Sequence, residues 1–280
     1  HMKNIHIGEM NNLMAVRQEP QGFYLRGDDL FDQVLLPNAY VPEGFKVDDE
    51  IDVFVYLDNE ERITATTLSP LIQLNGFASL QVSQVNRVGA FMDMGIVKQL
   101  LIPYKEQASP MEEGKTYLVY MYLDQKTERL VGTSKFNRYL SNENCTLERG
   151  DEVDLIILHS TSLGVNVIIN KKHQGLIFNS DINQPLELGQ ELRGFIKLIR
   201  EDGKIDILLQ KEGVASFESN SEKVLEILRR CDGFLGLHDK SDPKEISKRL
   251  LMSKKSFKRA IGNLYKNQKI KIEKDGVRLI

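Results

Sequence analysis

Three stretches of this chain are written to one plan, and a hairpin repeated three times leaves few folds open. Residues 45–67 run Phe45–Lys46–Val47–Asp48–Asp49–Glu50, then Ile51 to Asp58, a polar tip, and Arg62–Ile63–Thr64–Ala65–Thr66. Residues 111–134 repeat the order with Met111 to Lys115, Thr116 to Asp124, a polar tip, and Arg129–Leu130–Val131–Gly132–Thr133. Residues 188–210 do so again with Leu188–Gly189–Gln190, Glu191 to Ile199, Arg200–Glu201–Asp202–Gly203 and Lys204 to Leu208. In each, an alternating apolar run meets a charged turn and a second run rich in β-branched residues, which is the pattern of a hairpin. Asp202–Gly203 is a strong turn dipeptide.

Shorter apolar runs precede each hairpin. They are Met14–Ala15–Val16, Gly22 to Leu25 and Val34 to Pro37 in the first unit. In the second they lie in Ser83 to Gly95, bent at Gly89, and in Leu100 to Pro103; in the third, in Val153 to Leu158, Gly164 to Ile169 and Gly175 to Phe178. Five short strands, three times over, predict tandem small barrels of the OB type. So small a barrel has room inside only for side chains, which puts function on the outer faces and loops. The expected units are 1–67, 68–135 and 136–212.

From residue 213 the apolar period becomes helical. Ser221 to Arg230 places Val224, Leu225 and Leu228 on one face, with Gly233 as a stop. Asp242–Pro243–Lys244–Glu245 reads as a capping box opening a helix that ends near Leu251. Ser253 caps a third helix in which Phe257, Ala260, Ile261 and Leu264 keep the i, i+3, i+4, i+7 spacing. Ile270 to Glu273, Asp275–Gly276 and Val277 to Ile280 close as a hairpin. Residues 213–280 are therefore expected to be a winged helix-turn-helix. The fold class is mainly β with a C-terminal α+β domain.

The formal charge of −3 becomes informative only when divided along the chain. Residues 240–280 hold 13 Lys/Arg against 4 Asp/Glu, 1–67 hold 5 against 13, and 68–135 hold 7 against 6. A polyanion should meet the C-terminal end first and the N-terminal unit last. Lys254, Lys255, Lys258 and Arg259 lie opposite the apolar face of the third helix, where a helix-turn-helix meets nucleic acid, with Lys271 and Arg278 on the wing. Phe91, small neighbours and interspersed basic residues on short strands suit a single-stranded nucleic-acid site.

Val85–Asn86–Arg87–Val88–Gly89–Ala90–Phe91–Met92–Asp93, with Leu100 to Pro103, the Gly114 loop and the Leu123–Asp124…Arg129–Leu130 hairpin, resembles the S1 RNA-binding domain. The first and third units look like degenerate copies. The resemblance implies Phe91 as the RNA-facing platform, Tyr104 as its neighbour, and Arg87, Lys98 and Lys105 as backbone contacts. The third unit lacks an aromatic at the Phe91 position but keeps Phe178, with Lys171–Lys172–His173 expected beside it. The first unit keeps Phe23 and Tyr24 in an acidic field and reads as a structural or partner-contacting barrel.

Met252 to Lys266, preceded by Asp239–Lys240–Ser241–Asp242–Pro243, resembles the C-terminal module of the conserved virulence factor B family, bacterial proteins with three S1-type domains and a winged helix. That resemblance implies a cytoplasmic RNA binder acting on gene expression after transcription, with single-stranded RNA as partner. The alternatives are a DNA-binding transcriptional regulator using the winged helix, and a docking module for RNA-processing or ribosomal proteins. An enzyme is not expected, since HExxH, GxSxG, a phosphate loop and a paired-carboxylate cluster are all missing. Cys145 and Cys231 form no CxxC, so neither a zinc site nor a disulfide framework is expected, and no metal or other cofactor is expected. His1–Met2 reads as a tag remnant, and no apolar run approaches the ~20 residues of a membrane span.

Overall fold

The computed structural model describes residues 4–211 and 214–280, with the side chains of all of these but 214–219. The first barrel comprises β1 (Met10–Glu19), β2 (Gly22–Arg26), β3 (Gln33–Pro37), β4 (Glu50–Leu57) and β5 (Ile63–Thr66). They close in the order β1-β2-β3-β5-β4, with β3 and β5 parallel through Leu35 and Thr64. The second unit comprises β6 (Phe77–Asn86), β7 (Gly89–Met92), β8 (Leu100–Pro103), β9 (Thr116–Asp124) and β10 (Arg129–Thr133). The third comprises β11 (Glu152–Ser160), β12 (Gly164–Ile169), β13 (His173–Phe178), β14 (Glu191–Ile199) and β15 (Ile205–Leu208), closed as the first is.

The second unit keeps the strand order without the last bridge, as a five-stranded sheet β10-β9-β6-β7-β8. Side chains fill that seam instead. The bare backbone of Gly132 on β10 lies under Ile102 and Leu100 of β8, and a Cβ there would sit 2.0 Å from Ile102 Cδ1.

One register recurs at the centre of all three units. Gly22, Gly89 and Gly164 open the second strand of each, opposite Pro37, Pro103 and Phe178. At Gly89 the strands approach so closely that a Cβ would lie 2.3 Å from the Ile102 carbonyl oxygen, which only glycine permits. Two residues on, Tyr24, Phe91 and Asn166 occupy one outward position, opposite Leu35, Leu101 and Leu176. The intervening Phe23, Ala90 and Val165 are buried, as strand alternation requires.

The barrels also bury their outer faces against one another. On β4, Val53 and Val55 fill the first barrel, while Phe54 and Tyr56 point away and are buried with Ile72, Met94 and Ile96 in the core of the second unit. Phe77, Leu118 and Tyr120 of the second unit likewise join Ile156 and Ile168 of the third, with Leu140 from the connection. Strands buried on both faces have no polar alternation, which explains the unbroken runs Val53–Tyr56 and Leu118–Met121.

The C-terminal unit is α1 (Val214–Arg230), β16 (Phe234–Leu235), α2 (Pro243–Leu250), α3 (Lys254–Lys266), β17 (Ile270–Glu273) and β18 (Gly276–Leu279), with the sheet ordered β16-β18-β17. The first helix begins seven residues before the Ser221 expected from its apolar period. Val224, Leu225 and Leu228 are buried as expected, and Gly233 follows the helix with φ 81°. Asp242 caps α2 by accepting from Lys244 N at 2.7 Å, although Glu245 makes no return bond among the described residues. Ser253 caps α3, accepting from Ser256 N at 3.1 Å, and Phe257, Ala260, Ile261 and Leu264 are buried. Among the described residues no helix is long and apolar enough to cross a membrane.

Candidate nucleic-acid interface

The second unit presents its aromatic side chains on an outward strip. Phe91 is half-buried, beside Leu101 on β8 and Gln84 on β6. Tyr104 begins the 3-10 turn Tyr104–Glu106 that follows β8 and remains 52% exposed. Its hydroxyl donates to the Asn86 carbonyl oxygen at 2.6 Å, which fixes the ring to the β6–β7 turn. The other units make a similar tie without an aromatic. Asn38 Nδ2 donates to Pro20 O at 2.7 Å, and Asn179 Nδ2 to Ser162 O at 3.0 Å. The second unit therefore obtains, in place of a structural amide, an exposed ring held in one orientation.

The basic residues around that strip differ in availability. Arg87, on the β6–β7 turn, and Lys105 are exposed and make no ion pair among the described residues. Lys98 is partly buried, and its ammonium donates to Asn59 of the first barrel at 2.9 Å. Burial pulls its pKa below the usual lysine range, against the opposing pull of the Asp58 carboxylate. Lys98 thus braces two barrels.

In the first barrel the equivalent Tyr24 is covered. The Arg17 guanidinium lies 3.9 Å from its ring centroid and is anchored by Glu19 and Gln33. In the third, Asn166 is exposed where Phe91 stands, and Phe178 supplies the aromatic two positions further along the facing strand pair.

The Lys171–Lys172 turn is not beside Phe178. Gly164 pairs with Phe178 at one end of the β12–β13 hairpin, and Ile169 with His173 at the other. Five strand steps, about 17 Å, separate the ends. Lys171 and Lys172 are exposed, while His173 is tied through Nδ1 to the Ser141 carbonyl at 2.7 Å. Phe178 is flanked instead by Arg200 and Lys197, whose charged groups lie 5.4 and 5.9 Å from its centroid. Alternation along β14 does not place them beside Phe178, because its register shifts between Ile196 and Leu198. Both are already paired, Arg200 with Asp206 at 2.9 Å and Lys197 with Asp181 at 2.8 Å.

On α3 the four basic residues separate into three and one. Lys255, Lys258 and Arg259 are exposed and unpaired among the described residues. Lys254 is partly buried and donates from Nζ to Ser241 O at 2.8 Å, joining α3 to the loop before α2. Gly262 continues the exposed face, and a Cβ there would meet nothing within 4 Å. An interior helical glycine costs roughly 1 kcal/mol relative to alanine, and no packing within the chain calls for one here. On the wing, Lys271 is exposed and unpaired among the described residues. Arg278 is engaged with Glu273 at 2.7 Å and stacked 4.7 Å from the Phe234 centroid.

Family comparison agrees with this layout. The S1 domain model matches residues 7–68 and 77–135, and the CvfB-like winged helix domain model matches 222–279. Protein YitL of Bacillus subtilis is 28% identical over 278 residues, covering 94% of this chain and 90% of the relative. Conserved virulence factor B of Staphylococcus epidermidis is 24% identical over 276 residues, covering 95% and 92%. A crystal structure of a multidomain protein with nucleic acid binding domains from Streptococcus pneumoniae aligns at 22% identity and a TM-score of 0.42, covering 98% of both chains. The chain thus matches two S1 domains and a CvfB-like winged helix domain in series, and it is similar over most of its length to proteins named Conserved virulence factor B.

Proposed function

We propose that this protein binds single-stranded RNA and regulates bacterial gene expression after transcription, with the second barrel stacking bases and the winged helix supplying most of the electrostatic attraction. The observation that carries this reading is the strip of Phe91 and Tyr104, with the Tyr104 phenol locked onto the Asn86 carbonyl. Preset aromatic faces suit single strands, because every base offers a π-face and an ordered ring loses little entropy on stacking. Arg87 and Lys105 border the strip and are free to meet phosphates. Lys255, Lys258, Arg259 and Lys271 extend the contact on a second module. Two weak sites in one chain gain by effective concentration. The contribution of the third barrel centres on Phe178, with Lys171 and Lys172 as a separate basic point.

Replacing Phe91 with alanine removes one stacked base and is expected to weaken binding by about 1–3 kcal/mol, leaving the salt dependence unchanged. Fluorescence anisotropy with labelled RNA over a salt series measures both quantities. An unchanged affinity would remove Phe91 from the site.

A second reading, duplex DNA in the grip of α3, draws on the same three exposed cations and the unobstructed Gly262 face. It leaves the aromatic strip without a role.

A further inference from the structure

A groove lies where the connections before β6 and after β10 both cross the end of β9. Its volume is about 670 Å³, within the range of small-ligand sites. Its aromatic side is formed by Tyr122 and Tyr139, two rings of a stepped stack of three whose other member, Tyr120, is buried. Tyr139, from the 3-10 turn Phe136–Tyr139, lies on Tyr120 with centroids 4.4 Å apart and on Tyr122 at 5.6 Å, with interplanar angles of 28° and 29°. The Arg138 guanidinium covers the step, 4.9 Å from Tyr139 and 5.6 Å from Tyr122. Glu106 holds it there at 2.7 Å.

Lys105 and Lys126 line the same groove, both exposed and without an ion pair among the described residues. Two acids lie nearby, and one of them, Asp124, is itself in the lining. Glu106 is paired with Arg138, and Asp124 accepts from the backbone N–H of Lys126 at 2.9 Å. Burial first, and then the Glu106 carboxylate, push the Tyr122 phenol up to about 12, so it carries no negative charge at neutral pH. Planar rings and two unpaired cations, set against the single carboxylate of Asp124 in the lining, can receive a nucleobase and its phosphate.

Lys105 follows Tyr104 directly in one turn, so the cation on the rim of this groove also borders the Phe91–Tyr104 strip. We infer that the groove is a second nucleotide subsite of the second barrel, taking a base against Tyr122 and Tyr139 and its phosphate between Lys105 and Lys126. The strand leaves the Phe91–Tyr104 strip past Lys105 and enters here. This inference rests on the reading of that strip as an RNA site.

Two oligouridines carrying 5-iodouridine test it with the full-length protein, one of about four nucleotides and one of about twelve, bracketing the site sizes of such barrels. The long oligonucleotide should photocrosslink to Tyr122 or Tyr139 as well as to the strip. Lys126→Glu, a change in an exposed turn, should weaken the long one by about tenfold and leave the short one within about twofold. Crosslinks confined to Phe91 and Tyr104, with both affinities unchanged by Lys126→Glu, would overturn the groove and leave the strip standing. If the unmodified protein binds neither oligonucleotide, the RNA reading itself falls, and this subsite with it.

Discussion

Replacing Lys255, Lys258 and Arg259 together with alanine is expected to lower the affinity for single-stranded RNA by about two orders of magnitude. The same change should reduce the steepness of log K against log salt by about 2, because each lost phosphate contact on a single strand removes roughly 0.7. Their surroundings set these three apart. They are exposed on α3, whereas Lys254 is spent on Ser241 O and Arg278 on Glu273 and Phe234. Lys254→Ala should accordingly act on the stability of the winged helix more than on the salt slope. Anisotropy titrations of the triple variant over a range of salt, alongside Lys254→Ala, separate the two effects. A triple variant with an unchanged slope would place the electrostatic anchor elsewhere.

Phe54→Ala is expected to destabilise the protein by about 3–5 kcal/mol, as the loss of a fully buried phenylalanine does. The ring faces away from its own barrel. It is buried with Tyr56, Ile72, Met94 and Ile96, so the cavity opens between the first and second units. Met94 and Ile96 belong to the segment between β7 and β8, which leads into the strip and carries Lys98. The same variant should therefore expose that segment to limited proteolysis and weaken RNA binding, although no part of Phe54 is at the surface. Chemical unfolding and peptide mapping read these out. A cost within about 0.5 kcal/mol, typical of a surface substitution, would mean that the first barrel does not brace the second.

Much of this architecture is legible in the residues. The repeated hairpins give three barrels, and the spacing of Phe257, Ala260, Ile261 and Leu264 after Ser253 gives the third helix with its cap and buried face. Local rules suffice there, because strand period, turn dipeptides and caps act over a few residues. The inter-barrel surfaces are less plain: Val53–Tyr56 and Leu118–Met121 lie in runs expected to alternate, and they are unbroken because both faces are buried. The run itself does not say which neighbour covers the second face.

Availability of charge is the least legible property. Lys254 and Lys255 are adjacent and chemically identical, and only the fold brings Ser241 O to the first. Arg278 resembles a free wing cation until β17 sets Glu273 beside it. Phe178 and Lys172 are near in sequence yet stand at opposite ends of one hairpin, while Arg200 and Lys197 reach Phe178 from another strand. The tyrosine stack joins side chains of β9 to one from the following connection, and no local pattern announces it.

Competition at matched salt tests the central claim most directly. Labelled single-stranded RNA is bound to the full-length protein and displaced with unlabelled single-stranded RNA, duplex RNA or duplex DNA. Single-stranded RNA should displace it most effectively, with an affinity that falls steeply as salt rises. More effective displacement by duplex DNA, or binding to single-stranded RNA that is indifferent to salt, would contradict the account.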